Sequence, residues 1–179
     1  MVNLILFLII LVLLALSIFA VFYLLYLFRT GIPFVPTSKP VAQKMVELAE
    51  LDAEKKFVDL GCGEGTLVRM AGKSGAHGVG YELILPLVWL CRGANRLQKR
   101  PIEFRTEDFF QAELKEFDVI FCYLWPNAMK KFWTTFEGKL KPGARIISHQ
   151  FPIENLTPEK TEIVGKSKIF VYRVPATSP

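Results

Sequence analysis

The sequence predicts an α/β protein: a seven-stranded, mostly parallel sheet with helices on both faces and a C-terminal antiparallel hairpin, preceded by one N-terminal transmembrane helix. Three observations carry this. Short apolar runs alternate with amphipathic stretches from residue 38 onward, the pattern of a parallel sheet covered on both faces. The first such run, Phe57-Val58-Asp59-Leu60, opens directly into Gly61-Cys62-Gly63-Glu64-Gly65. And residues 4–28 carry no charge at all, which is longer than the roughly 20 residues that a hydrocarbon core requires.

Taken in order, residues 1–28 form the anchor. A cleaved secretory leader has a basic start and an apolar stretch of about 7–15 residues, and neither is present. Arg29, Lys39 and Lys44 follow the span, so the positive-inside bias puts the rest of the chain on the cytoplasmic side. Tyr23, Tyr26 and Phe28 fit an interfacial aromatic belt. Residues 29–37 form a linker stiffened by Pro33 and Pro36. A helix with Ser38 as cap and Pro40 in its first turn runs to about Leu51, its stripe being Val41, Met45, Leu48 and Leu51. Strand 56–60, helix 66–74, strand 77–82, helix 86–99, strand 102–106, strand 117–123, helix 127–140 and strand 144–150 follow. Residues 162–164 and 168–174 make the hairpin across Gly165-Lys166-Ser167, and 175–179 are a tail.

Alternate glycines after a strand that carries an acid point to a nucleotide-type cofactor. Gly61 allows the tight turn, Gly63 leaves room for a ligand on the backbone, and Gly65 lets the next helix pack closely. Gly-x-Gly-x-Gly with Asp59 beside it places a carboxylate where a pyrophosphate would be repelled and a cation welcomed, which suits S-adenosylmethionine with its ammonium and sulfonium. Seventeen residues past Gly65, Gly78-Val79-Gly80-Tyr81-Glu82 ends a second strand in an acid, where a sheet of this kind grips ribose hydroxyls. Glu82 is therefore the expected ribose ligand; its alternative is to cap the helix near Pro86.

Asp108 follows the third strand and either accepts from the adenine amino group, with Phe109 against the ring, or caps a turn. Tyr123, Leu124, Trp125 and Pro126 end the fourth strand, beside the first, where ligands bind in open α/β sheets. They form the wall of the ligand cleft or pack in the core. His77 and His149 are read as structural. Cys62, Cys91 and Cys122 are odd in number, without Cys-x-x-Cys or a paired histidine, which argues for a reducing compartment and against a metal. In the 179 residues the net charge of +5 lies wholly after Phe28, favouring an anionic membrane surface or acidic partner unless it is merely dispersed over a solvated face. About 150 residues remain after the anchor, enough for one core and no separate substrate domain.

Asp59 to Gly65, Glu82, Asp108 and the hairpin together resemble the class I, Rossmann-like methyltransferases over residues 38–174. A narrower resemblance rests on the apolar span, Pro33-Phe34-Val35-Pro36-Thr37, Gly78 to Leu83, Asp108-Phe109-Phe110, Tyr123-Leu124-Trp125-Pro126, Lys141-Pro142-Gly143-Ala144-Arg145 and Phe151-Pro152. This set resembles the small membrane-anchored lysine methyltransferases of mitochondria, which act on adenine nucleotide translocase and the c-ring protein of ATP synthase and have prokaryotic relatives. Glu107 stands where that family has Gly and Phe110 where Trp is common. The resemblance implies S-adenosylmethionine held by Thr37, Asp59, Gly61, Cys62, Gly63, Gly65, Glu82, Leu83, Asp108 and Phe109. It places Asp108, Tyr123 and Trp125 at the reacting amine, and implies an integral membrane protein as substrate.

No covalent nucleophile or metal is needed for such a transfer. Alignment of amine and methyl supplies up to about 7–11 kcal/mol, and a lysine with a free pKa near 10.4 loses about 4–5 kcal/mol on deprotonation at pH 7. An apolar, aromatic channel lowers that demand. Two other functions stay open: a methyltransferase for a lipid or quinone-like molecule, and a noncatalytic module that binds the cofactor. Nucleic acid is disfavoured, because Tyr123-Leu124-Trp125-Pro126 replaces the Asn-Pro-Pro-Tyr type of motif.

Overall fold

The computed structural model describes residues 2–30, 35–98 and 100–176, with the side chains of Val2, residues 25–30 and residues 97–98 outside the description. It divides into two units, residues 1–35 and 36–179. In the first, α1 spans Val2–Thr30 without interruption. Its stretch Asn3–Leu24 has a mean hydropathy of 3.4, and none of that stretch is buried, so it is long and apolar enough to cross a membrane. Phe19 and Tyr23 stack one turn apart at 6.4 Å. The side chains of Tyr26, Phe28 and Arg29 and four residues of the expected linker, 31–34, lie outside the described residues.

The second unit contains a seven-stranded sheet in the order β3-β2-β1-β4-β5-β7-β6. The strands are β1 (Lys56–Leu60), β2 (His77–Tyr81), β3 (Ile102–Arg105), β4 (Val119–Cys122), β5 (Arg145–His149), β6 (Lys160–Val164) and β7 (Ser167–Arg173). The first five are mutually parallel, β7 runs antiparallel to β5, and β6 closes the hairpin on β7. This is the mixed sheet that the alternation and closing hairpin predict. β1 and β4 are neighbours although β2 and β3 intervene in sequence, which makes the space above their carboxyl ends the topological switch point.

Alternation along the strands sorts the core into two layers. On one face Phe57, Phe121 and Ile147 pack under α2 (Lys39–Ala49), α3 (Thr66–Ala71) and α4 (Leu85–Gln98), meeting Met45, Val68, Val88 and Cys91. On the other, Val58, Leu60, Ile120 and Ile146 meet Met129, Phe132 and Phe136 of α5 (Pro126–Phe136) together with Tyr172. Both helical stripes in α2 and α5 point inward as their periodicity requires.

Several ends differ from expectation. Ser38 occupies the N-cap of α2 but makes no capping bond through its hydroxyl; Pro40 in the first turn leaves one fewer N–H to cap. α2 stops at Ala49, where Glu50 turns left-handed. α3 is six residues, then tightens into a 3₁₀ turn over Gly72–Ser74 that Gly75 ends at φ 86°. α5 ends at Phe136 rather than 140, and Gly138 follows at φ 73°. β4 is confined to 119–122, so Tyr123 lies just beyond the ladder. β6 begins earlier, at Lys160.

Candidate active site

Five parallel strands deliver their following residues to one edge of the sheet: Gly61–Gly65 after β1, Glu82–Leu83 after β2, Asp108–Phe109 after β3, Tyr123–Trp125 after β4 and His149–Phe151 after β5. Thr37 lies just before α2 and is half-buried. The Arg145 guanidinium, at the opening of β5, donates to the Leu48 carbonyl and pairs with Glu50 at 2.6 Å, so the end of α2 lies over the start of β5.

The glycine loop is tied down from within. The N–H groups of Gly61 and Cys62 both donate to the Tyr81 carbonyl, at 3.0 and 2.8 Å, and that of Gly65 donates to the Cys62 carbonyl at 2.8 Å. Gly63 N–H donates to Glu82 Oε2 at 2.9 Å, while Glu82 Oε1 accepts from the N–H groups of Leu83 and Ile84. A loop that binds a pyrophosphate needs those N–H groups turned outward. Here they are engaged, which leaves carboxylates and carbonyls as the ligand-facing chemistry and favours a cation. Glu82 thus performs the helix-entry bonding weighed for it as an alternative, and it clamps the loop as well.

Gly65, at φ 73°, has the further constraint that a Cβ would lie 2.7 Å from Phe104 Cε1 and 2.9 Å from Cys91 Sγ. The close approach is to β3 and α4 rather than to β1. Gly61, at φ 79°, has open space on its Cβ side. The Cys62 side chain is buried against Gly80, which lacks the Cβ that would meet its sulfur at 2.7 Å. Burial first, then the nearby Asp59 carboxylate, pushes its thiol far up, so only its backbone is available to a ligand.

Asp59 is 5% exposed and has no hydrogen-bond partner among the described residues. Burial first, and the Glu82 charge second, push its carboxyl up to about 7. A buried carboxylate without a donor is costly unless a cation joins it. This donor set fits the ammonium and sulfonium of S-adenosylmethionine. Asp108 N-caps a 3₁₀ turn over Phe109–Gln111, its Oδ1 accepting from Phe110 N–H at 3.0 Å, so half of its acceptor capacity is spent on the turn. Phe109 is half-buried and lies 4.4 Å from Phe110 in a tilted pair, leaning on the α5-side cluster.

Beside Tyr123 and Trp125 stand His149, read from the sequence as structural, and Phe151, quoted there only within the family resemblance. Cys122 of β4 pairs with Ser148 of β5, which brings the next residues, Tyr123 and His149, side by side with ring centroids 4.0 Å apart. Both share the sheet face of Asp59, since Asp59 pairs with Phe121 two residues before Tyr123. His149 is 4% exposed, its Nδ1 is buried without a partner, and burial lowers its pKa to about 4, so it is neutral. Phe151 N–H donates to the His149 carbonyl at 2.9 Å across Gln150, whose φ of 72° makes a γ-turn. That reversal stacks Phe151 on Trp125 at 5.7 Å and on Tyr123 at 6.4 Å. Trp125, 41% exposed, sits at the N-cap of α5 with Pro126 at its first position. The signal for these two lay in the strand register, which needs the β4–β5 adjacency to be known.

The sheet and its carboxyl-edge site define an S-adenosylmethionine-dependent methyltransferase. An RNA methyltransferase from Salinibacter ruber, solved in complex with S-adenosyl-L-homocysteine, superposes with a TM-score of 0.76 at 33% identity, over 81% of this chain and 97% of that one. The chain belongs to the ANTKMT methyltransferase domain family, whose model matches residues 59–160. It is 28% identical over 135 residues to a protein-lysine N-methyltransferase of Saccharolobus islandicus, covering 72% of this chain and 83% of that protein. It is 27% identical over 154 residues to the adenine nucleotide translocase lysine N-methyltransferase of Mus musculus, covering 84% and 67% respectively.

Proposed function

We propose that this protein is a membrane-anchored methyltransferase that modifies a lysine of an integral membrane protein, with residues 1–28 as anchor, 29–37 as linker and 38–174 as the catalytic domain on the cytoplasmic side. The observation that carries the cofactor assignment is Asp59, buried and partnerless beside a loop whose N–H groups are already engaged. S-adenosylmethionine, when bound, supplies an electrophilic methyl group next to a positive sulfur. Asp59 faces its ammonium and sulfonium end, Glu82 takes the ribose hydroxyls, Leu83 and Phe109 flank the adenine, and the free oxygen of Asp108 accepts from the adenine amino group. The Gly61–Gly65 backbone, with Cys62 contributing main chain only, follows the ligand, and Thr37 closes over it.

The acceptor lysine enters between Tyr123, Trp125 and Phe151. These rings strip water from the ammonium and so favour its neutral form, and buried Nδ1 of neutral His149 accepts a hydrogen bond from the amine. Orientation of the nitrogen lone pair is the main contribution of this wall. Support for the membrane attachment is the apolar α1, and support for a membrane-protein substrate is that the mouse relative is named for adenine nucleotide translocase.

Isolated membranes incubated with the full-length protein and radiolabelled S-adenosylmethionine test this. Label is expected in a small protein band that survives delipidation, and it should vanish with Asp59→Ala or Glu82→Ala. Label confined to the lipid extract favours a lipid or quinone acceptor, and label confined to RNA removes the lysine reading. Protease added to sealed right-side-out vesicles should leave residues 38–179 intact; digestion there reverses the topology.

A further inference from the structure

We propose that the outward face of α4, with the groove between α4 and β3, is a contact surface for anionic phospholipid. This rests on the membrane attachment argued above and adds a second, lateral contact to it. In α4, Val88 and Cys91 are fully buried and fix which side packs on the sheet. The opposite side should be polar in a helix that meets only water. Instead Trp89 is 61% and Leu90 69% exposed, and Leu85 at the first position of the helix is 40% exposed.

The charge on this element is of one sign. α4 has no Asp or Glu, while Arg92 and Arg96 stand one turn apart beside Trp89. Together with Gly93, Asn95, Phe104 and Glu103 they line an open groove of about 780 Å³. The Arg92 guanidinium is oriented by the Phe104 carbonyl, to which Nε and Nη2 donate at 2.9 and 2.7 Å. The single acid in the groove, Glu103, is neutralised by Arg105 at 2.9 Å. Asn95 donates to the Ile102 carbonyl, and its Oδ1 is buried without a donor.

A phospholipid answers the charge and the exposed apolar side chains at once. Its phosphate meets Arg92 and Arg96, and the acyl boundary accepts Trp89 and Leu90, as amphipathic basic helices do at interfaces. An acidic protein segment would answer the arginines and leave the exposed leucines in water.

The full-length protein is reconstituted in phosphatidylcholine–phosphatidylglycerol liposomes with brominated acyl chains, and tryptophan fluorescence is read. Trp89 is one of three tryptophans, so the difference between wild type and Trp89→Phe isolates it. Quenching should be at least twofold smaller in Trp89→Phe. It should also fall several-fold in Arg96→Glu and in liposomes lacking phosphatidylglycerol. Equal quenching in wild type and Trp89→Phe, with the protein still floating with the liposomes, overturns the α4 contact while leaving the anchor intact. Failure to float overturns both. Shielding of Trp89 by added RNA in lipid-free micelles, with no bromine quenching, assigns the groove to a nucleic acid instead.

Discussion

The Tyr123 ring lies 4.0 Å from the His149 imidazole, on the same sheet face as partnerless Asp59. Two strands therefore bring an aromatic ring against a neutral histidine whose Nδ1 is buried without a partner, beside the proposed path of the amine. His149→Phe keeps the ring contact and removes the acceptor nitrogen. Methyl transfer should fall about 100- to 1,000-fold in kcat with S-adenosylmethionine affinity unchanged, the range for losing one positioned polar group. Steady-state kinetics beside calorimetric cofactor binding checks both.

His149 also predicts an acid-side effect. Its folded-state pKa is depressed from 6.5 to about 4, so the stability it contributes is fully present above 6.5 and is lost as pH falls toward 4. His149→Phe should flatten the fall in melting temperature across that window, leaving the behaviour above pH 7 unchanged.

Asp59 works in the opposite sense. Its folded-state value is raised from 3.8 to about 7, so its contribution to the cofactor-free fold is fully present below 3.8 and is lost as pH rises toward 7. A cation that keeps it ionised restores that loss. Thermal stabilisation by S-adenosylmethionine should therefore grow between pH 5.5 and 8, and Asp59→Asn should abolish the pH dependence while raising the melting temperature of the cofactor-free protein at pH 8.

Glu82→Ala removes three backbone contacts along with the expected ribose ligand. Cofactor binding should weaken by about 1.5–3 kcal/mol, the scale for hydrogen bonds to a charged group. Because the same side chain ties the loop to the start of α4, urea unfolding should show a loss of stability as well.

Gly65→Ala places a Cβ at φ 73° against Phe104 and Cys91. A left-handed non-glycine residue costs roughly 1–2 kcal/mol and overpacking about 1–3 more. Equilibrium unfolding should register a loss of about 2–5 kcal/mol, with β3 losing amide-exchange protection first.

What the sequence made legible was local or periodic. Phe57 to Gly65 announces its strand, turn and helix through glycine and an apolar run, and the stripe Val41-Met45 is buried as read. The acceptor wall was not legible beyond Tyr123 and Trp125. His149 meets Tyr123 only through pairing between strands more than twenty residues apart, and nothing near either one encodes that. Ser38 takes the N-cap position as read, with its carbonyl accepting from Ala42 N–H at 2.9 Å, but its hydroxyl makes no capping bond, a local detail that residue preference does not encode. Asp108 shows a third kind of limit, since one carboxylate satisfied the turn reading and retained an oxygen for the other.

Gln150 bonds β7 in both directions, its N–H donating to the Lys168 carbonyl at 2.7 Å and its Oε1 accepting from Lys168 N–H at 3.2 Å. The C-terminal hairpin is thus the jig that holds the γ-turn and aims Phe151 at Trp125, whereas the glycine loop is braced from β2. The two loops have separate scaffolds, so under the proposed function mutations in the hairpin reshape which acceptors are admitted while the methyl-donor side stays untouched.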